Sequence, residues 1–274
     1  MAVNTKTDPV DGLPAIEAQD WAEEKHEHLR QYIDISREAR RKFLRGPGAG
    51  ASYCELFCGP GRLFHGSRFF DGSPLVAFKE SARTGTAFTH LHLGDEQQEF
   101  CAAVEQRLQK LGAKVQTHPL KADAAAKRIV RALDDAAINL AFLDPFNLGD
   151  LPFSILETFS RLRRIDLVIH VSAMDLIRQM PAALKSGSRT FDRFAPGWQE
   201  AVKGLSPGEE ARGRFIEHWL GLIRRAGYKD AKVWKLIRGP TNQPLYWLVL
   251  VAKHQLAATF WDKVGKSPQG KLDF

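Results

Sequence analysis

Short apolar runs alternate with amphipathic segments along most of this chain, and that alternation limits the fold more than any other feature. Runs at 52–57, 89–93, 114–120, 139–143 and 166–171 have the length and composition of buried strands. Segments 73–81, 97–111, 124–134 and 153–162 place apolar residues at helical spacing. A strand, a crossover helix and another strand, repeated, imply a mostly parallel sheet with helices on both faces. The last two runs, 230–236 and 245–252, flank a Gly/Pro-containing turn at 239–244. Strands joined this closely must be antiparallel neighbours. The expected fold is therefore α/β, a mostly parallel sheet closed by a C-terminal antiparallel hairpin.

The remaining segments set the boundaries. Residues 1–19 lack periodic apolar positions and are expected to be a flexible lead-in, leaving 20–274 as one domain. That domain opens with a helix over 21–44, marked by Trp21, Leu29, Tyr32 and Ile33, and the glycine-rich stretch 45–50 breaks it. Residues 173–207 read as partly irregular, and 209–226 as a helix. No apolar run approaches the roughly 18 residues of a membrane span, and the polar N-terminus has no signal-type segment. The expectation is a cytoplasmic protein without a membrane partner. Three cysteines in 274 residues do not make a disulfide framework. Cys54 and Cys58 lack a second ligand pair, and His90 and His92 lack an acidic or thiol partner at a matching offset, so no metal is expected. The net charge of +7 permits a polyanionic partner. Its basic clusters, Arg37 to Lys42 with Arg45, and Arg161, Arg163 and Arg164, can equally be solvated helix faces. Trp198, Trp234, Tyr246 and Trp247 are expected in the core, while Phe69 and Phe70 lie in a loop as candidate substrate contacts.

In an open parallel sheet, ligands bind at the carboxyl ends of the strands. The first strand runs into Glu55-Leu-Phe-Cys-Gly-Pro-Gly-Arg62, where glycines let a ligand approach the backbone. After the second strand comes Gly94-Asp95-Glu96, and an acid there can accept the hydroxyls of a ribose. By register that acidic position falls on Gly94, which leaves Asp95 to take the role or to cap the next helix. Asp123, after the third strand, stands either beside an adenine or at a helix start. The fourth strand ends in Asp144-Pro145-Phe146-Asn147, and an acid directly after four apolar residues needs a purpose or a partner. The roughly ten residues between Gly61 and Ser73 carry Arg62, His65 and Arg68, candidates for a functional loop that covers a ligand or holds phosphate. Arg178, after the fifth strand, is a third candidate phosphate ligand.

These motifs resemble those of class I methyltransferases, which use S-adenosylmethionine (AdoMet) on a Rossmann-like sheet. The resemblance assigns Glu55, Phe57, Gly59 and Gly61 to the methionine end of the cofactor, and Asp95 and Asp123 to its nucleoside end. Asp144-Pro145-Phe146-Asn147 resembles the Asp-Pro-Pro-Tyr motif of amino-group methyltransferases, in which the acid orients the amine and the ring stacks on a flipped base. Taken with the helix beginning Trp21-Ala-Glu-Glu-Lys25, the run Gly72-Ser73-Pro74 with Ala77, the Asp175 to Arg178 segment and the closing strand Tyr246 to Ala252, the chain resembles the three-Cys-motif partner family (TcmP). Departures are Glu55 for Asp, Cys58 for Ala and the missing acid at Gly94.

That resemblance implies a partner of the phage Gp37/Gp68 type, an iron–sulfur radical-AdoMet protein that itself carries the three cysteines, and a link to DNA repair or a phage-related process. The expected function is a methyltransferase-like protein acting on nucleic acid, with DNA the first choice. Two other classes remain open: a non-catalytic DNA-binding partner on the same scaffold, and a nuclease or other hydrolase, which would need a carboxylate cluster able to hold magnesium.

Overall fold

The computed structural model describes residues 3–19, 21–45, 49–239 and 241–254. Residues 46–48 of the expected helix break, Pro240 of the expected turn and the side chain of Trp234 lie outside the described residues. The chain divides into two compact units, 1–142 and 143–274, a finer division than the single domain expected for 20–274.

The first unit contains, in order, β1 (Thr5–Thr7), β2 (Pro14–Glu17), α1 (Ala22–Ile35), α2 (Arg37–Leu44), β3 (Ala51–Glu55), β4 (Arg62–His65), β5 (Arg68–Asp71), α3 (Ser73–Arg83), β6 (His90–Asp95), α4 (Gln98–Lys110), β7 (Val115–Pro119), α5 (Ala122–Ala132) and β8 (Ile138–Leu143), in which it ends. Strand β3 is buried along its whole length and pairs in parallel with β6 and β8; β6 pairs in parallel with β7. The second unit holds a 3-10 turn at Leu148–Asp150, then α6 (Phe153–Phe159), β9 (Ile165–Ser172), α7 (Ala173–Ser186), α8 (Arg189–Phe194), α9 (Trp198–Ala201), α10 (Glu209–Arg225), β10 (Asp230–Arg238) and β11 (Pro244–Ala252). Strand β11 pairs antiparallel with both β9 and β10. The seven strands take the order β10-β11-β9-β8-β3-β6-β7. This is the mostly parallel sheet with a C-terminal antiparallel hairpin that the alternation predicts.

Four segments differ from expectation. Residues 1–19 are not a featureless lead-in: β1 and β2 pair with each other, and β2 pairs in parallel with β4. The insertion after Gly61 is the β4–β5 hairpin, which completes a four-stranded sheet in the order β1-β2-β4-β5. Its ends are held together where the Gly72 N–H donates to the Gly61 carbonyl at 2.8 Å. The expected N-terminal helix is two helices that meet at Ser36, whose hydroxyl donates to the Tyr32 carbonyl at 2.7 Å beside its own backbone N–H at 3.1 Å. Residues 173–207 hold three helices. Pro181 inside α7 and the left-handed Gly187 that ends it disguise them in the sequence. Their core is aromatic: Phe191, Phe194, Trp198, Phe215 and Trp219 are all buried, and the rings of Phe194 and Trp219 stack at 4.8 Å.

Candidate functional site

The glycine turn of the first unit is built from beneath. Gly59 and Gly61 both have left-handed φ, +53° and +81°. A Cβ on Gly61 would meet Leu75 Cδ1 at 2.6 Å and Val104 Cγ2 at 2.8 Å. The close packing of α3 and α4 under the turn therefore forbids any other residue there. The Gly59 N–H donates to Asp95 Oδ2 at 3.0 Å, and the Gln97 N–H donates to Asp95 Oδ1 at 2.9 Å. Burial raises the Asp95 pKa, against the lowering effect of these two donors. Asp95 is the last residue of β6, so its carboxylate lies at the strand's carboxyl end, on the glycine turn.

Gly94 is glycine for a separate reason. A Cβ there would stand 3.0 Å from the Ala125 Cβ and 3.5 Å from the Glu55 carbonyl. It faces the packed underside of α5, where no carboxylate fits. The carboxylate at this strand end is that of Asp95, one residue further on.

Glu55 departs from the cofactor contact assigned to it by resemblance. Its side chain is buried and accepts hydrogen bonds from the Tyr53 hydroxyl and, at 3.0 Å, from the Ser73 hydroxyl. It ties the end of β3 to the start of α3. Phe57 is half-buried in the turn. Asp123 lies in the first turn of α5, where the helix dipole favours a carboxylate.

Arg62 is consumed by the fold. It donates to Asp8 at 2.7 Å and to Asp71 at 2.8 Å, and Lys79 reaches the other oxygen of Asp71 at 2.6 Å. Burial works against ionisation of Asp71, but Lys79 and Arg62 together hold its pKa below the usual value. Behind this chain lies buried Arg107, whose guanidinium donates twice to Asp11, at 2.7 and 2.8 Å, and to the carbonyls of Pro14 and Pro60 at 2.8 and 2.6 Å. Arg107 thus fastens the N-terminal strands to the glycine turn. Arg68 is exposed, ion-pairs with Glu23 and lies over the Phe70 ring at 5.2 Å.

In the second unit, Asp144 leaves the strand end half-buried, with its Oδ1 3.4 Å from His170 Nδ1 on β9. The His170 ring packs at 4.4 Å on Tyr246 of β11. Pro145 is buried, whereas Phe146 is 70% exposed, unusual for a phenyl ring. The Asn147 side-chain Oδ1 accepts from the Gly149 N–H at 2.8 Å, and its Nδ2 donates to Asp150 at 2.6 Å, so Asn147 shapes the turn itself. Asp175, in the first turn of α7, accepts from the Leu148 N–H at 3.2 Å and from Arg178 at 2.6 Å. The exposed Arg178 guanidinium, an expected phosphate ligand, lies on the Asp175 carboxylate. His170 was missed; a histidine within an otherwise apolar strand was its only signal.

His92 and His118 stack with ring centroids 5.9 Å apart. Burial, then the charges of His118 and His90, push His92 down to about 4. Cys54, Cys58 and Cys101 are free and buried. Among the described residues no group of three or more His, Cys, Asp or Glu side chains is placed to hold a metal ion. None of the described helices is long and apolar enough to cross a membrane.

Compared with known proteins, the chain matches no family model and no curated protein. Among solved structures it is similar to a Legionella pneumophila protein of family DUF519, with a TM-score of 0.50 and 11% identity over 82% of this chain and 83% of that one. It is also similar to spermidine synthase from Thermotoga maritima, with a TM-score of 0.47 and 11% identity over 94% of this chain and 71% of that one. A third is an S-adenosylmethionine-dependent methyltransferase from Clostridium acetobutylicum, with a TM-score of 0.37 and 9% identity over 82% and 91% of the two chains. At these identities the likeness is one of fold. The fold is a Rossmann-like α/β arrangement.

Proposed function

We propose that this chain is an AdoMet-dependent methyltransferase that acts on an amine of a nucleic-acid base. The observation that carries the reading is the Asp95 carboxylate, held at the end of β6 on a glycine turn by the Gly59 N–H. A nucleoside cofactor needs such a carboxylate to accept from its ribose hydroxyls, beside backbone that a ligand can approach. Asp95 would hold the ribose, Asp123 the adenine amino group, and the backbone of Gly59 to Gly61 the methionine end. Bound there, AdoMet supplies a methyl group activated by its sulfonium charge.

The chain's own part in the acceptor half is orientation. Asp144 accepts hydrogen bonds from the amine and aims its lone pair, while Phe146 stacks on the base. His170 beside Asp144 keeps that carboxylate in place. The resemblance to the TcmP family supports DNA as the substrate and a radical-AdoMet protein as the partner; co-purification with that partner from the native host tests the second point.

Isothermal titration of the full chain with AdoMet tests the reading. Wild-type protein should bind, and Asp95→Asn should bind roughly 10-fold or more weakly, as expected for losing charge-assisted hydrogen bonds of about 1.5–3 kcal/mol. Absence of binding at millimolar AdoMet would sink the reading. One observation favours a second one: Glu55 is already spent on Tyr53 and Ser73, as in a scaffold that binds nucleic acid without turning over a cofactor. Nucleic-acid binding without AdoMet binding is its signature.

A further inference from the structure

We propose that the outer face of α5, with the adjoining edge strand β7, is a docking surface for the phosphate backbone of a nucleic acid. The proposal rests on the nucleic-acid part of the reading above and not on AdoMet binding.

The basic cluster most conspicuous in the sequence, at 37–45, is largely neutralised. Arg37 pairs with Asp34 at 2.8 Å, Arg41 pairs with Glu38, and Arg40 is buried against Ser36 and Thr86. Helix α5 is different. Lys127, Arg128 and Arg131 are exposed on it, Lys121 is exposed at its N-cap, and Lys114 is exposed just ahead of β7. Among the described residues none of these five has a carboxylate partner.

Lys127 and Arg131 are four apart, and Arg128 and Arg131 three apart, the spacings at which like charges on a helix repel. A merely solvated helix interleaves acids at such positions. This one places no acid among Lys127, Arg128 and Arg131, and exposed Ala124 and Ala132 on either side leave room for a backbone to come close. Asp123 is the one acid within the helix, in its first turn. From Lys121 to Arg131 the cations span roughly 15 Å of helix.

The face is continuous with the sheet edge. Strand β7 ends the sheet order, with Gln116 exposed on it. Arg128 lies close enough to His118 on β7 that its charge, after burial, lowers the imidazole pKa. Unpaired, mutually repelling cations around a helix face are complementary to a line of phosphates, whose binding releases condensed counterions.

The test is fluorescence anisotropy of the full chain with labelled duplex and single-stranded DNA across a salt series. Lys127→Gln, Arg128→Gln and Arg131→Gln are combined, with Arg37→Gln and Arg41→Gln as the paired control; all five side chains are at the surface, and circular dichroism checks folding. The expected result is a log–log salt slope shallower by about 0.9 for each cation removed from α5, and no change of slope in the control. A triple variant with wild-type affinity and slope overturns the surface while leaving the nucleic-acid reading intact. Wild-type protein that binds neither DNA at low salt overturns both. Binding of phosphatidylserine vesicles, but not DNA, with the same dependence on the three cations assigns the face to a membrane and overturns the proposal.

Discussion

The glycine turn after β3 and the Asp-Pro-Phe-Asn turn after β8 both end a buried strand, and they do so by opposite means. In the first, Leu75 and Val104 leave no room for a side chain on left-handed Gly61, and the strand's acid, Glu55, is sealed between Tyr53 and Ser73. Side chains there hold the structure, and the backbone from Cys58 to Gly61 is itself buried, with the Gly59 N–H on Asp95 and the Pro60 carbonyl on Arg107. In the second, Asn147 and Asp175 satisfy the backbone, so no residue from Asp144 to Leu151 needs a left-handed φ. There the side chains Asp144 and Phe146 are what a ligand can reach. The difference predicts where stability and function separate: changes to the packing beneath the glycine turn should act on folding, changes at the Asp-Pro-Phe-Asn turn on binding.

The largest effect should come from Arg107. Replacing it with Met takes from the Asp11 carboxylate its cation and from two carbonyls their guanidinium donor, and leaves buried Asp8 with Arg62 as its remaining counter-charge. Breaking a buried ion pair from one side costs about 3–5 kcal/mol. Urea unfolding should show a midpoint lowered accordingly. A loss under 1 kcal/mol would show that the N-terminal strands do not brace the glycine turn.

Next in size is an acid sensitivity of the first unit. His92 falls to about 4 through burial and its histidine neighbours, from an ordinary value of 6.5. Between those values the unfolded chain binds a proton that the folded chain refuses, so acid favours unfolding. The contribution is complete above about 6.5 and is lost as the pH falls toward 4. Urea midpoints measured over this range should decline with acid, and His92→Phe should flatten the decline, with His118 retaining part of it. An unchanged slope in the variant would assign the acid sensitivity elsewhere.

The sequence made the large sheet legible because buried strands such as Ile138–Leu143 are continuous apolar runs. The four-stranded sheet was hidden because its strands are three or four residues long. They are held by Arg62, Arg107 and their carboxylates, so hydrophobic periodicity carries no trace of them. At the site, Gly59, Gly61 and Asp95 were legible from strand–turn spacing. The reason that Gly94 carries no side chain was not, since it depends on Ala125 of α5 packed against it. Arg62 shows the same limit: a loop cation looks like a phosphate ligand until Asp8, distant in sequence, is found against it.

The smallest effect on folding, and the sharpest test of the contrast, belongs to Phe146. With 70% of its surface exposed, the ring loses little on truncation, and Phe146→Ala should change stability by no more than about 0.5 kcal/mol. Stacking of a base on an aromatic ring contributes about 1–3 kcal/mol, so single-stranded DNA should bind roughly 5- to 150-fold more weakly to the variant. Phe146→Trp should restore the affinity, because any flat aromatic ring offers the same face. If Phe146→Ala instead destabilises the protein and leaves binding intact, the ring belongs to the packing, and the Asp-Pro-Phe-Asn turn is a structural end to β8 like its counterpart after β3.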